Sequence, residues 1–155
     1  FEEACAEYER SSVIGEQYGS VDADVPVFNR MMIELHLGNY GNAQLLIDRI
    51  RRKPLQSNSL VAQLLKAVDV AIHFYRGDFN RVDENETWLK TLANVRWIEL
   101  DLVEIVLPLA KQCGASNDIK RGRWFFDILV NQNRHLNSDS VGLEIALLEK
   151  ILENR

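Results

Sequence analysis

A chain of 155 residues with 46% hydrophobic and 26% charged side chains has the size and balance of one soluble globular domain. Its 23 acidic against 18 basic side chains leave a formal net charge of −5. That argues against direct nucleic-acid binding, because such modules need basic surface to displace counterions from phosphates.

Two cysteines, Cys5 and Cys113, are too few and too far apart for a disulfide framework or a metal cluster, so a reducing, cytoplasmic setting is expected. No apolar run approaches the roughly 18 residues of a membrane span. The closest, Ile105 to Ala110, is short and follows Asp101 and Glu104. No signal-peptide pattern opens the chain. Asn85-Glu86-Thr87 matches the glycosylation triplet, which has no consequence without export. The first residue is Phe1 rather than methionine, so a fragment of a longer protein is expected.

In chain order, Glu2 to Tyr18 places Ala4, Tyr8 and Val13 on one face, while Ser11, Ser12 and Gly15 weaken the helix. Residues 1–24 therefore read as a frayed helix and a linker. Asp24 before Val25-Pro26 supplies an N-cap and a first-turn proline. Pro26 to Leu37 carries Val27, Met31 and Leu35 on one side and Phe28 and Met32 on another, so this helix is expected to be buried on two faces. Tyr40 to Arg52 follows; Arg49, Arg51, Arg52 and Lys53 complement its C-terminus, and Pro54 stops it.

Ser57-Asn58-Ser59 caps a long helix from Leu60 to Arg76, which Gly77 closes. Its partner runs from Phe79 to Leu92 with Val82, Trp88, Leu89 and Leu92 inward and Asp83, Glu84 and Glu86 outward. Val95 to Cys113, including Trp97 and Ile98, is the most apolar stretch, and Pro108 within it predicts a kink. Gly114 to Asn117 turns the chain, and Ile119 to Asn131 packs back through Trp124, Phe126, Ile128 and Leu129. After a polar stretch from Gln132 to Asp139, Ser140 caps a last helix. Leu143, Leu147, Ile151 and Leu152 form its inner stripe, with Glu144, Glu149, Lys150 and Glu153 outward. Repeat arrays need such a terminal cap.

One pattern recurs along this order. Gly38-Asn39-Tyr40-Gly41-Asn42-Ala43 returns as Gly77-Asp78-Phe79-Asn80-Arg81-Val82 and as Asn117-Asp118-Ile119-Lys120-Arg121-Gly122, at a spacing of about 40 residues. The glycine or asparagine can end one helix in the left-handed conformation. Asn39, Asp78 and Asp118 can cap the next, and Ala43 and Gly122 permit close helix approach.

From Val25 to Val130 this resembles the tetratricopeptide repeat, which places a glycine, an acidic or amide residue, an aromatic and an alanine at its hairpin turn. The longer period is similar to the irregular repeats in regulatory regions of bacterial transcription and response regulators, and in secretion chaperones. The resemblance implies an all-α, right-handed helical-hairpin array in one domain over 1–155. Its hairpins are 25–54, 58–93 and 95–133, with a capping helix at 139–155. It further implies a non-catalytic protein-interaction module, as the C-terminal or internal part of a bacterial signalling or transcription regulator, or alternatively a secretion-type chaperone for an amphipathic helix. Carried over by register, the first helix of each hairpin lines a concave groove. Phe28, Met32 and His36 come from the first, Ala71, Phe74 and Tyr75 from the second, and Leu107 and Lys111 from the third. The competing reading is that neighbouring helices, or an adjacent copy in a homodimer, fill those positions.

Chemistry is sparse. His36, His73 and His135 lie on separate elements without a second ligand one turn away, apart from Asp69 and His73, which share a helical face. With Glu104 these suggest a helical metal-dependent hydrolase as a further alternative. No phosphate loop, nucleophile elbow or paired-cysteine motif occurs, so no catalytic, cofactor or metal site is expected. The basic groups Arg49 to Lys53 and Lys120, Arg121, Arg123 read either as solvated helix ends or as seats for an anionic partner.

Overall fold

The computed structural model describes residues 2–17, 24–52, 59–96 and 99–153. Among them are nine α-helices and no strand, as the helical periodicity predicts: α1 Glu2–Gln17, α2 Asp24–His36, α3 Tyr40–Arg51, α4 Leu60–Tyr75, α5 Phe79–Asp83, α6 Glu86–Leu92, α7 Leu100–Ser116, α8 Ile119–Leu136 and α9 Asp139–Glu153. The chain divides into two compact units, Phe1–Ile72 and His73–Arg155, with the division inside α4. The expectations placed on Lys53, Pro54, Ser57, Asn58, Trp97 and Ile98 lie outside the described residues.

The recurring turns behave largely as their residues dictate. Gly38 and Gly77 sit at φ 77° and 75° after α2 and α4, and Asn117 takes the same left-handed region at φ 61° after α7. Asp118 accepts from Arg121 N at 3.2 Å and Asp78 from Arg81 N at a longer 3.5 Å, capping α8 and α5. Asn39 departs from the pattern. Its Nδ2 donates instead to Glu34 Oε2 at 2.9 Å, and α3 starts without a side-chain cap. The Glu34 carboxylate is buried, and a buried charge takes the nearest donor.

In the first unit α2 packs against both α1 and α3. It buries Val27, Phe28, Met31, Met32 and Leu35, and α3 answers with Ala43, Leu46, Ile47 and Ile50. α1 differs from its expected face: Ala4 and Val13 are exposed, and Ser12 is the fully buried side chain among those described.

In the second unit α7 and α8 form a hairpin. Leu102, Ile105, Val106, Leu109 and Cys113 pack within it, as do Trp124, Phe125, Ile128 and Leu129. Pro108 lies inside α7, which nonetheless continues to Ser116. The helix expected over Phe79 to Leu92 is split, because Asn85 Nδ2 donates to Arg81 O at 2.9 Å and satisfies a carbonyl the helix would otherwise carry forward. α8 runs past its expected end. Asn131 and Gln132 are buried, Asn131 Nδ2 donating to Val95 O at 3.0 Å and Gln132 Oε1 accepting from Glu99 N at 2.9 Å. These amides satisfy backbone groups of the α6–α7 connection, which makes their burial tolerable.

α9 packs on α8 and α7. Its first turn is capped by Ser138 Oγ, accepting from Val141 N at 3.5 Å, rather than by Ser140. Gly122 decides how closely the three helices meet. A Cβ there would stand 3.2 Å from Cys113 Cβ on α7 and 3.0 Å from Leu152 Cδ2 on α9.

Candidate partner-binding site

The eight residues expected to line a groove separate into core and surface. Phe28, Met32, Ala71 and Phe74 are buried, which takes them out of any open groove. Phe74 stands edge-on to Phe79 and Phe125 with ring centroids 5.6 and 5.8 Å away, a packing arrangement. Tyr75 and Leu107 are half-buried, and His36 and Lys111 are exposed. His36 Nδ1 lies 2.8 Å from Met32 O and closes its own helix end. An apolar stripe on a helix with neighbours on two sides is packing before it is recognition.

Around Lys111 the surface is open. A groove of about 320 Å³ runs between Lys111, Gly114 and Ala115 of α7 and Glu144, Leu147, Leu148 and Ile151 of α9. Lys111 Nζ bonds Glu144 Oε1 at 2.6 Å across it. Both side chains are partly solvated, so the pair orients the two helices more than it stabilises them.

The α9 stripe read from the sequence resolves into two ridges. Leu148 and Leu152, one turn apart, dock into the hairpin. Leu143, Leu147 and Ile151 form a second ridge on the solvent side, 69%, 57% and 38% exposed. Of the four residues expected inward, Leu152 alone is buried. A glycine on α8 favours the choice: Gly122 leaves the socket for Leu152, while Gly114 on α7 lets Ile151 lie close, a Cβ there standing 3.1 Å from Ile151 Cγ2. Gly114 and Ala115, missed by the sequence reading, floor the groove because small residues let α9 approach without filling the space beside it.

The polar clusters are self-satisfied. Arg121 spans Asp83 and Asp118, with Nε 2.8 Å from Asp83 Oδ1 and Nη1 2.6 Å from Asp118 Oδ2. Lys120 reaches Asp83 at 3.3 Å. Burial works against the charge on Asp83, yet the hydrogen bonds from Arg121 and Lys120 hold its carboxyl below the usual range. Lys120, Arg121 and Arg123 also lie over the rings of Trp124, Phe79 and Phe126. In the second basic group Lys120 and Arg121 are therefore engaged at the α5–α8 contact, and Arg123 lies along α8 itself. In the first group, Arg49 bonds Glu9 and Ser12 on α1, and Arg51 bonds Asp69 at 3.4 Å. Burial, then the charge of Arg51, lowers the nearby Lys66.

The hydrolase alternative gains no constellation. Asp69 is engaged by Arg51, His73 Nδ1 lies 3.2 Å from Asp78 Oδ2, and Glu104 is exposed. Among the described residues no three of His, Cys, Asp and Glu converge as a metal ion requires. Burial, reinforced by the charge of Asp118, pushes the Cys113 thiol up to about 12, which leaves it inert as a nucleophile. No described helix is long and apolar enough to cross a membrane. No family model, curated protein or solved structure matches the chain.

Proposed function

We propose that this chain is a non-catalytic protein-interaction module of the tetratricopeptide-like hairpin kind, and that the α7–α9 groove receives an apolar helical segment of a protein partner. The observation that carries the reading is the exposed Leu143, Leu147, Ile151 ridge, of which Leu147 and Ile151 edge an open groove that also takes in Gly114 and Ala115. Recessed grooves edged by leucines at helical spacing suit an amphipathic helix with apolar residues every three to four positions. Covering the exposed part of these three side chains is worth about 3–4 kcal/mol. On its own that is no better than roughly millimolar binding, so a tight partner must also fill the groove beside Lys111 and Ala115. A place in a bacterial signalling or transcription regulator rests on the turn echoes and their resemblance alone.

The test is affinity capture followed by sedimentation analysis with wild type, Leu147→Asp and the remote control Glu149→Gln. Wild type and the control retain the same protein, a second copy included, and Leu147→Asp loses it. Retention indifferent to Leu147 refutes the groove as the binding surface.

A further inference from the structure

α1 is a poor helix to hold by apolar packing. Its fully buried side chain among those described is Ser12, while Val13 and Ile14 are exposed. α1 packs along α2, with Cys5, Tyr8 and Gly15 half-buried; what fastens it to α3, and reinforces its hold on α2, is charge. Glu9 Oε2 accepts from Arg30 Nη1 on α2, and both Glu9 oxygens lie 3.2–3.3 Å from Arg49 Nη1 on α3. Arg49 Nη2 donates to Ser12 Oγ at 2.9 Å, one turn further along α1. Both arginine side chains are only 28% exposed and Glu9 is 42% exposed, so besides its packing on α2 the helix meets the hairpin at two partly desolvated guanidiniums. The hairpin has means of its own to persist without α1. Ala43, Ile47 and Ile50 are fully buried, and Glu34 ties α2 to the start of α3 through Asn39 Nδ2 at 2.9 Å and Asn42 Nδ2 at 3.4 Å. Glu34 also lies 3.8 Å from Arg30 Nε, a long contact that leaves Arg30 under-compensated if Glu9 departs.

We propose that α1 is a displaceable latch, and that Arg30 and Arg49 beneath it form a seat for a partner helix carrying a carboxylate with a small hydroxyl side chain three residues on, the arrangement Glu9 and Ser12 present in cis. Charge-assisted contacts to a carboxylate are strong when desolvated and weaken as salt screens them. Apolar docking does not weaken with salt, so ionic strength separates the two modes of attachment. The seat is independent of the α7–α9 groove and does not rest on the function proposed for it.

Hydrogen exchange on the full chain tests the latch. Raising sodium chloride from about 50 to about 500 mM, or substituting Glu9→Gln, speeds exchange of α1 amides on the order of threefold to tenfold while α2 and α3 amides hold their rates. Exchange in α1 that ignores both changes, or that quickens together with α2 and α3, overturns the latch. The seat is tested with a labelled synthetic peptide of residues 2–17 added to the Glu9→Gln chain and followed by fluorescence anisotropy. The wild-type peptide binds about fivefold or more tighter than the same peptide with its own Glu9→Gln change. Equal binding by the two peptides, or binding by neither, overturns the seat.

Discussion

Gly122→Ala probes the junction on which the proposed groove depends. Two opposing terms set its effect. Replacing a helical glycine by alanine gains about 1 kcal/mol of helix propensity. Against that, the new methyl would stand 3.0 Å from Leu152 Cδ2 and 3.2 Å from Cys113 Cβ. Leu152 is buried and has little room to rotate away, and Cys113 Cβ moves only with α7. Overpacking of this kind costs about 1–3 kcal/mol. Gly142 is the internal control: it lies in α9 of the same unit, and a Cβ there meets Asn133 Nδ2 at an ordinary 3.4 Å. Gly142→Ala should therefore keep most of the propensity gain, and the two variants should differ by about 2 kcal/mol, with Gly122→Ala the less stable. Urea denaturation followed by Trp fluorescence and circular dichroism measures both. Equal stabilisation by the two alanines refutes the close meeting of α7, α8 and α9 at Gly122, and with it the reason Leu152 docks in place of Leu147.

Three further outcomes follow from the same unit. Leu147→Asp should change stability by no more than about 0.5 kcal/mol, since the site is solvated, whereas Leu148→Ala, one residue on and buried, should cost about 2–4 kcal/mol in the same denaturation experiment. Asp83 has a folded pKa below its unfolded one, so its stabilising contribution is complete above the unfolded value and is lost as pH falls through the folded value. Asp101, raised by burial, carries the opposite slope. Asp83→Asn should flatten the acid limb of stability against pH, and Asp101→Asn should steepen it, read from urea midpoints below pH 5. Cys113, pushed up to about 12 and buried, should resist iodoacetamide at pH 8 until urea unfolds the chain; mass spectrometry of the labelled peptides scores it.

Turn chemistry is what the sequence displays most directly, because a left-handed residue and a cap are local requirements. Gly38, Gly77, Asp78 and Asp118 can be placed from their neighbours alone, and the structure has them in those roles. Choices settled by a distant partner are not legible in the same way. Asn39 reads as a cap until the buried Glu34 carboxylate is known to lie within 2.9 Å. Asn131 reads as the end of a helix and Gln132 as the start of a polar loop until they are seen to satisfy Val95 O and Glu99 N across the unit. Phe28 and Met32 carry the aromatic and thioether character of a binding groove, yet lie in the core of a helix covered on two sides. The α9 ridges differ by one residue in position, well inside the width of any helical stripe, so it takes the socket at Gly122 on α8 to show which is buried.

The two proposed surfaces answer to opposite physics, and that separates them in one titration. Contacts at Leu143, Leu147 and Ile151 remove apolar area from water, a term that salt leaves unchanged or strengthens when the anion is sulfate. Contacts at Arg30 and Arg49 replace one carboxylate by another, and screening over a Debye length of about 10 Å at 0.1 M weakens them. A partner held through α9 therefore stays bound as sodium sulfate rises, while α1 loosens in the same sample. A partner released at the rate α1 loosens would instead be seated on the arginines, and Leu147→Asp would leave its binding unchanged.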